Sequence, residues 1–254
     1  MSDAPELSIV LPAYNAASYI DTNVGRVLDW FARSGTAAEL IVADDGSTDG
    51  TADAIRVAPN VRVLRLAHRG KGSAVRQGMA AATGEISAFT DCDLPYGLDV
   101  IALAARWITE RRYHAVIGDR TLPGSEFVRP GPVRAVLSGL GSFVFRTLVT
   151  GGIYDTQCGL KVFRGDVARE VFGLCRINAF AIDVELVYLL LKYRLDIKRI
   201  PVHLESSSPS SVRPVRDALV ATRDVGLIRA NWAMGRYRSQ ALEEILAADV
   251  LADR

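Results

Sequence analysis

The chain has 254 residues, of which 49% are hydrophobic and 23% are charged, and these values exclude a disordered or collagen-like protein. Its 30 lysines and arginines almost balance its 29 aspartates and glutamates, so we expect no general basic surface for nucleic acid. The three cysteines, Cys92, Cys158 and Cys175, fit neither a disulfide scaffold nor a zinc site, and they favour a reducing compartment.

The first half of the chain alternates short apolar runs with helical patterns. We predict strands at 7–11, 39–43, 61–66, 85–90 and 115–118. Helices are predicted between them at about 18–33, 49–58, 71–83 and 98–112. This order is typical of an α/β protein with a mostly parallel sheet and helices on both faces.

The second half of the chain is less regular. We predict helices at 130–149, 182–193 and 215–237, strands at 159–164 and 197–203, and a serine-rich loop at 206–211. Residues 1–212 are predicted to form one α/β domain, and residues 213–254 a helical extension. No apolar run is long enough for a membrane-spanning helix and no signal peptide is recognisable, so we expect a cytoplasmic protein.

Polar side chains follow four of the predicted strands at their carboxyl ends, where parallel sheets bind ligands. Familiar motifs are missing from this edge: the first strand is followed by Pro12-Ala-Tyr-Asn15 instead of a dinucleotide loop, and Gly70-Lys71 continues with Gly72 instead of a P-loop hydroxyl. The polar residues that the sheet order brings to one edge are Tyr14, Asn15, Asp44, Asp45, Asp91, Asp93 and Arg120.

Asp91-Cys92-Asp93 places two carboxylates on one loop directly after the strand at 85–90. Carboxylate oxygens suit a hard divalent cation, and Mg²⁺ in particular also accepts oxygens from a substrate phosphate. The pattern alone is short and also occurs in solvated turns, so its position after a buried strand is what favours a metal site.

Five motifs in a fixed order resemble one known family. They are LPAYN at 11–15, DDGSTDGT at 44–51, RGKG at 69–72, DCDL at 91–94 and DTQCGLK at 155–161. Together they resemble the family 2 inverting glycosyltransferases with the GT-A fold, and within it the dolichyl- and polyprenyl-phosphate mannose synthase and glucosyltransferase branch. The last motif indicates this branch, and the resemblance extends from about residue 7 to residue 237.

The resemblance implies a site for a UDP- or GDP-sugar. Asp44 and Asp45 would accept hydrogen bonds from the base or ribose, although a turn with a helix cap explains the same residues. The glycines of RGKG would allow the nucleoside to approach the backbone. The implied nucleotide-sugar-binding residues are Pro12, Tyr14, Asn15, Asp44, Asp45, Gly70, Lys71, Gly72, Asp91, Gln157 and Arg213.

The resemblance also implies a catalytic set and a metal. Asp91 and Asp93 would hold Mg²⁺ or Mn²⁺ against the diphosphate, where positive charge stabilises the leaving group. Members of this branch often continue the D-x-D pair with Leu-Gln, but this chain has Pro95 in place of Gln, so the metal would lose one protein ligand. The implied catalytic residues are Asp93, Arg120 and Arg134.

The acceptor is the least determined part of the prediction. A polyprenyl phosphate is already ionised and can attack without a general base, whereas a soluble hydroxyl acceptor needs one, for which Asp183 and Glu185 are candidates. A nucleotide-sugar-binding protein without catalysis is a third hypothesis, which the intact D-x-D pair disfavours.

Two segments could contact a membrane. One is an apolar face in the helix predicted at 130–149, which could instead pack on the sheet; the other is the segment 213–238, which has six arginines against two aspartates together with Trp232 and Tyr237. We therefore expect a protein that can associate peripherally with the inner face of the membrane.

Overall fold

The computed structural model describes residues 4–126, 155–205 and 214–252. Seven strands form one sheet in the order β3-β2-β1-β4-β6-β5-β7. Their bounds are β1 Leu7–Ala13, β2 Ala38–Asp44, β3 Val61–Arg65, β4 Ile86–Phe89, β5 Ala115–Gly118, β6 Lys161–Arg164 and β7 Ile197–Ile200.

One strand runs against the others. β6 is antiparallel to both of its neighbours, β4 and β5, whereas the remaining pairs are parallel. The amino end of β6 therefore lies at the edge where β1, β2, β4 and β5 have their carboxyl ends. As a result, the segment that precedes β6 meets the polar residues that follow the parallel strands.

Helices cover both faces of this sheet. Their bounds are α1 Ile20–Ser34, α2 Thr51–Ala54, α3 Lys71–Ala81, α4 Asp99–Arg111, α5 Gly165–Leu174, α6 Ile182–Lys192, α7 Pro214–Ala233 and α8 Gln240–Ala252. On one face, α1 and α4 pack through residues such as Val24 and Ile101. On the other face, α3, α5 and α6 form a second core that includes Met79 and Phe172 and extends to α7 and α8. The α/β architecture predicted from the sequence is thus confirmed.

Two parts of the sequence prediction differ from the structure. The helix predicted at 49–58 ends after one turn, because Ile55 is already extended and Arg56 is bound by Asp21 in α1. The helix α5 was not predicted, although Val167, Ala168, Val171 and Phe172 place a buried stripe on it at helical spacing.

The two C-terminal helices are joined to the sheet domain by specific contacts. The Tyr193 hydroxyl donates to the carbonyl of Tyr237, and His114 before β5 lies 2.9 Å from Asp249 of α8. The predicted domain boundary at 212 falls outside the described residues, as does the helix predicted at 130–149, so this division stays a prediction. Among the residues that the structure describes, no helix has the length and apolarity needed to cross a bilayer.

Candidate active site

The loop after β1 begins the site. Pro12 is buried within β1, whereas Tyr14 and Asn15 are exposed just beyond it. Asn15 has a positive φ of 50°, which its side chain supports by accepting a hydrogen bond from the backbone N–H of Thr48 at 3.0 Å. The hydroxyl of Ser47 accepts from the N–H of Asn15 in return, at 2.9 Å. The carboxyl ends of β1 and β2 are therefore fixed to each other.

The aspartate pair at the end of β2, Asp44 and Asp45, is buried and hydrogen-bonded within the protein. Asp44 accepts the Ser47 N–H at 3.2 Å. Asp45 accepts the backbone N–H groups of Arg69 and Gly70, at 3.0 and 2.8 Å, and lies 2.8 Å from a ring nitrogen of His68. Asp45 thus anchors the RGKG loop and Asp44 closes the turn to Ser47, and contact of either with a base or ribose stays a prediction.

The two glycines of the RGKG loop allow a close approach of two protein segments. A Cβ on Gly70, which has φ 107°, would lie 2.7 Å from the carbonyl oxygen of Asn178, and one on Gly72 would lie 2.6 Å from that of Ile177. The glycines thus bring the start of α3 against the segment before α6. The predicted approach to a nucleoside is not tested by this contact.

An aromatic pair at the site was missed by the sequence prediction. The rings of Tyr14 and His68 stack with centroids 4.3 Å apart and an interplanar angle of 19°. Both side chains are about half exposed, which leaves a flat aromatic surface beside the bonded aspartate pair. A histidine just before a glycine-rich turn was the available signal, but it carries no specific pattern.

Lys71 and Asp91 form an ion pair in the middle of the edge. Lys71 Nζ lies 2.6 Å from Asp91 Oδ1, and it also lies 5.9 Å from the ring centroid of the exposed Phe180. Burial raises the pKa of Asp91, but the charge and hydrogen bond of Lys71, together with the charges of Lys161 and Arg120, lower it more, so the net pKa lies below its usual range. Gly159 packs on the same carboxylate, since a Cβ there would lie 2.1 Å from Asp91 Oδ2.

Arg120, after β5, is held by Asp155. The carboxylate accepts the Arg120 backbone N–H at 2.9 Å, the Nε–H at 2.7 Å and the Nη2–H at 2.8 Å. Asp155 is 6% exposed and Arg120 37%. The bonds to Asp155 raise the pKa of Arg120, so its guanidinium stays charged.

The segment 155–161 connects several of these groups because β6 is antiparallel. Its side chains are buried except that of Gln157, which is exposed at the edge. Lys161 is fully buried, donates to the carbonyl of Cys158 at 2.8 Å and pairs with Asp183 at the start of α6 at 2.5 Å. Lys161 therefore has a structural partner, whereas contact of the exposed Gln157 with a ligand stays a prediction.

Comparison with known proteins identifies the family. The model of the family described as glycosyl transferase family 2 matches residues 8–172. The chain belongs to this family. It is therefore a glycosyltransferase, as the motifs predicted.

The most informative relatives are named dolichyl-phosphate beta-glucosyltransferase. One from Drosophila melanogaster is 30% identical, covering 96% of this chain and 81% of the relative. One from Dictyostelium discoideum is 27% identical, covering 91% and 76%. Among solved structures, glucosyl-3-phosphoglycerate synthase from Mycobacterium tuberculosis, in complex with Mn²⁺, UDP-glucose and phosphoglyceric acid, has a TM-score of 0.63 at 22% identity, covering 92% of this chain and 80% of that one. This likeness confirms the predicted GT-A fold.

The D-x-D pair of this glycosyltransferase offers few metal ligands of its own. Asp93 is half-buried on the same turn as Asp91, and Leu94 follows with a positive φ of 49°. No group of three or more ligating side chains suited to a metal occurs among the described residues. The oxygen donors fit Mg²⁺ or Mn²⁺ only if substrate phosphate oxygens and water complete the coordination.

The two candidate general bases have other partners in this glycosyltransferase. Asp183 binds Lys161, and Glu185 accepts the N–H groups of Arg176 and Ile177, both at 2.9 Å. Burial raises the pKa of Glu185, partly opposed by the hydroxyl of Tyr237 that donates to it. Neither carboxylate is presented to the edge as a free base. The implied catalytic residue Arg134 and the implied nucleotide-sugar-binding residue Arg213 lie outside the described part of the chain.

Proposed function

We propose that this glycosyltransferase moves glucose from UDP-glucose to a polyprenyl phosphate, with inversion at the anomeric carbon. The observation that carries the proposal is the Arg120–Asp155 pair, which holds a permanent cation at the carboxyl edge of the sheet. Glucose and a dolichyl-type acceptor are supported by relatives named dolichyl-phosphate beta-glucosyltransferase that align over nearly the whole chain. UDP is supported by a likeness in fold to a synthase crystallised with UDP-glucose.

An ionised acceptor agrees with the finding that three carboxylates near this edge are paired with cations and are not available as general bases. Asp91, Asp155 and Asp183 each bind a cationic side chain. A carboxylate with a lowered pKa beside a cation is a poor proton acceptor, and the pKa values of Asp91 and Asp155 are both lowered, against the effect of burial, by their cationic partners. A phosphate monoester needs no base, because its oxygen carries a negative charge near neutral pH. It attacks the anomeric carbon, the bond to the UDP oxygen breaks, and a β-linked glucosyl phosphate forms.

The residues at the carboxyl edge of the sheet have different roles in this reaction. Tyr14 and His68 offer an aromatic surface to the base, and Lys71 brings positive charge to the middle of the site, where the donor diphosphate would lie. Arg120 attracts and orients the acceptor phosphate. Gln157, which is exposed, would donate hydrogen bonds to sugar hydroxyls.

A divalent cation belongs to the proposal. Asp93, with Asp91, would hold Mg²⁺ or Mn²⁺ together with the diphosphate oxygens. When bound, the ion supplies positive charge that stabilises the leaving UDP. Since Lys71 already neutralises one oxygen of Asp91, we expect Asp93 to be the main protein ligand.

Contact with a membrane surface is also part of the proposal, in a form that the structure modifies. Tyr237 is 1% exposed and belongs to the core, so the prediction that it meets lipid is wrong. Instead, α7 and the turn after it expose Leu227 and Met234 between arginines, of which Arg223 and Arg229 are on the helix. Exposed apolar and cationic side chains of this kind would suit anionic lipid headgroups.

A product assay tests the function directly. Purified protein is incubated with UDP-glucose or GDP-mannose, a short polyprenyl phosphate and Mg²⁺ or Mn²⁺, with EDTA as the control, and products are identified by mass spectrometry. We expect a glucosyl-phosphoryl lipid that requires UDP-glucose and metal. Arg120→Gln should reduce its formation, whereas Arg62→Gln, which removes an exposed cation from β3, should not.

Two other results would redirect the proposal. Transfer to a soluble hydroxyl acceptor such as phosphoglyceric acid, with none to the lipid phosphate, would support the alternative acceptor class. Donor binding without transfer to any acceptor would support a binding protein. Co-sedimentation with vesicles of anionic and of neutral lipid tests the membrane surface separately, and equal binding to both would contradict it.

A further inference from the structure

The Asp155–Arg120 contact fixes a guanidinium from one side. One carboxylate accepts three hydrogen bonds from a single arginine, two of them from the side chain and one from its backbone. A paired geometry of this kind fixes the plane of the guanidinium as well as its position. An arginine without such a partner would populate several side-chain rotamers, and restricting them to one when the ligand binds would cost conformational entropy.

Asp155 reaches Arg120 because β6 runs antiparallel to β5. Arg120 follows β5 and Asp155 precedes β6, and these strands pair directly, with Ile117 opposite Lys161. Asp155 is buried, so the partner is itself held in one place. The next residues of the segment are bound as well, since Gly159 packs on Asp91 and Lys161 is anchored to Asp183.

We propose that Asp155 is a positioning residue, which orients the Arg120 guanidinium for the acceptor phosphate and makes no contact with substrate itself. This inference rests on the proposed function and adds a residue to it. It predicts that Asp155 acts on the reaction only through Arg120. A residue that merely stabilised the fold would influence turnover whether or not Arg120 were present.

The chain contains a matched control for this pair. Asp21 binds Arg56 with the same three bonds: the backbone N–H at 2.9 Å, Nε at 2.9 Å and Nη2 at 2.7 Å. That pair joins α1 to the segment after α2 and is exposed. Asp21→Asn therefore removes the same negative charge and one acceptor oxygen in a place that the proposed chemistry does not use.

The test is a double-mutant cycle with Asp155→Asn, Arg120→Gln and the double variant, each checked for folding by thermal melting. Kinetics are measured with UDP-glucose and a short polyprenyl phosphate. We expect Asp155→Asn to raise the acceptor KM roughly 10- to 100-fold, with a smaller effect on the donor KM. In the Arg120→Gln background, the same change should alter kcat/KM less than about twofold. Asp155→Glu should recover part of the loss, and Asp21→Asn should leave acceptor KM unchanged.

A second measurement does not depend on turnover. The Nε–H signal of Arg120 in a ¹⁵N NMR spectrum should be protected from solvent exchange in the wild type and lose that protection in Asp155→Asn. If the two single substitutions reduced kcat/KM independently, so that their effects multiplied in the double variant, the inference would be overturned and the proposed function would remain intact. An unchanged Arg120 signal in Asp155→Asn would have the same meaning. If the wild type makes no glucosyl-phosphoryl lipid, the proposed function fails instead. In that case the NMR comparison of wild type and Asp155→Asn tests by itself whether Asp155 fixes the Arg120 guanidinium, and an unchanged signal overturns the positioning role.

Discussion

Lys71 Nζ lies 2.6 Å from Asp91 Oδ1, so the first carboxylate of the D-x-D pair already has a cationic partner from the protein. Lys71 is the first residue of α3, and Asp91 follows β4. Both side chains are largely shielded from water, with 18% and 35% exposure, which strengthens their attraction. In the proposed function, Lys71 and the metal ion would therefore share the binding of the donor diphosphate.

The first prediction concerns this division. Lys71→Met should weaken UDP binding roughly tenfold in EDTA, because a charge-assisted contact to the diphosphate is lost. With Mg²⁺ the loss should be smaller, since Asp91 becomes available to the ion. Calorimetric titration of UDP with Mg²⁺ and with EDTA measures both. Lys198→Met, which removes a lysine that covers the Trp107 ring, is the control and should change neither value. A loss that is larger with Mg²⁺ than without would contradict the prediction.

The second prediction uses a glycine. Gly159→Ala should abolish most activity but preserve the fold, because the new Cβ would lie 2.1 Å from Asp91 Oδ2 and push the carboxylate away from Lys71. Activity and melting temperature are measured together. Gly173→Ala in α5 is the matched control: a Cβ there meets nothing within 4 Å, so it should stabilise the helix by about 0.5–1 kcal/mol without loss of activity. Full activity in Gly159→Ala would show that the position of Asp91 is unimportant.

The placement of these groups could be predicted only in part from the sequence. The carboxyl ends of the parallel strands were recognisable, since short apolar runs stop at Asn15, Asp45, Asp91 and Arg120. What the pattern lacks is strand direction. A run such as 159–164 has the same apolar character in a parallel or an antiparallel strand, and the antiparallel direction of β6 is what brings Asp155 to Arg120.

Side-chain partners were the other gap in the prediction. Asp45 is a plausible ligand residue by position, but the structure shows it bonded to the backbone of Arg69 and Gly70. Glu185 is a plausible base by type, yet its carboxylate accepts the N–H groups of Arg176 and Ile177. Such long-range bonds depend on loop geometry, which has no periodic signal in the chain. The position of a residue along a strand thus predicted that it lies at the edge of the sheet, but not whether its side chain is hydrogen-bonded to other parts of the protein.

The third prediction concerns the buried pair of Lys161 and Asp183, which are 0% and 3% exposed. Asp183→Asn should lower the free energy of unfolding by about 3–5 kcal/mol, because it leaves the Lys161 charge buried without its partner. The double variant Lys161→Met, Asp183→Leu should recover much of this loss. Asp53→Asn is the control, since its exposed pair with Arg65 should be worth about 0–1 kcal/mol. Urea denaturation measures all four proteins, and equal effects of the buried and exposed substitutions would refute the prediction.

The fourth prediction concerns pH. Burial raises the pKa of Asp155, but its bonds to Arg120 lower it more, so the folded-state pKa lies below the unfolded value of about 3.9. The stability that this shift provides is fully present above about pH 4 and is lost as pH falls through the folded-state pKa. The difference in unfolding free energy between wild type and Asp155→Asn should therefore be constant from about pH 5 to pH 7 and shrink below about pH 4. Urea titrations of both proteins across this range measure the difference. A difference that stayed constant at the acid end would mean that Asp155 has no stabilising ionisation, and that Arg120 is not held by its charge.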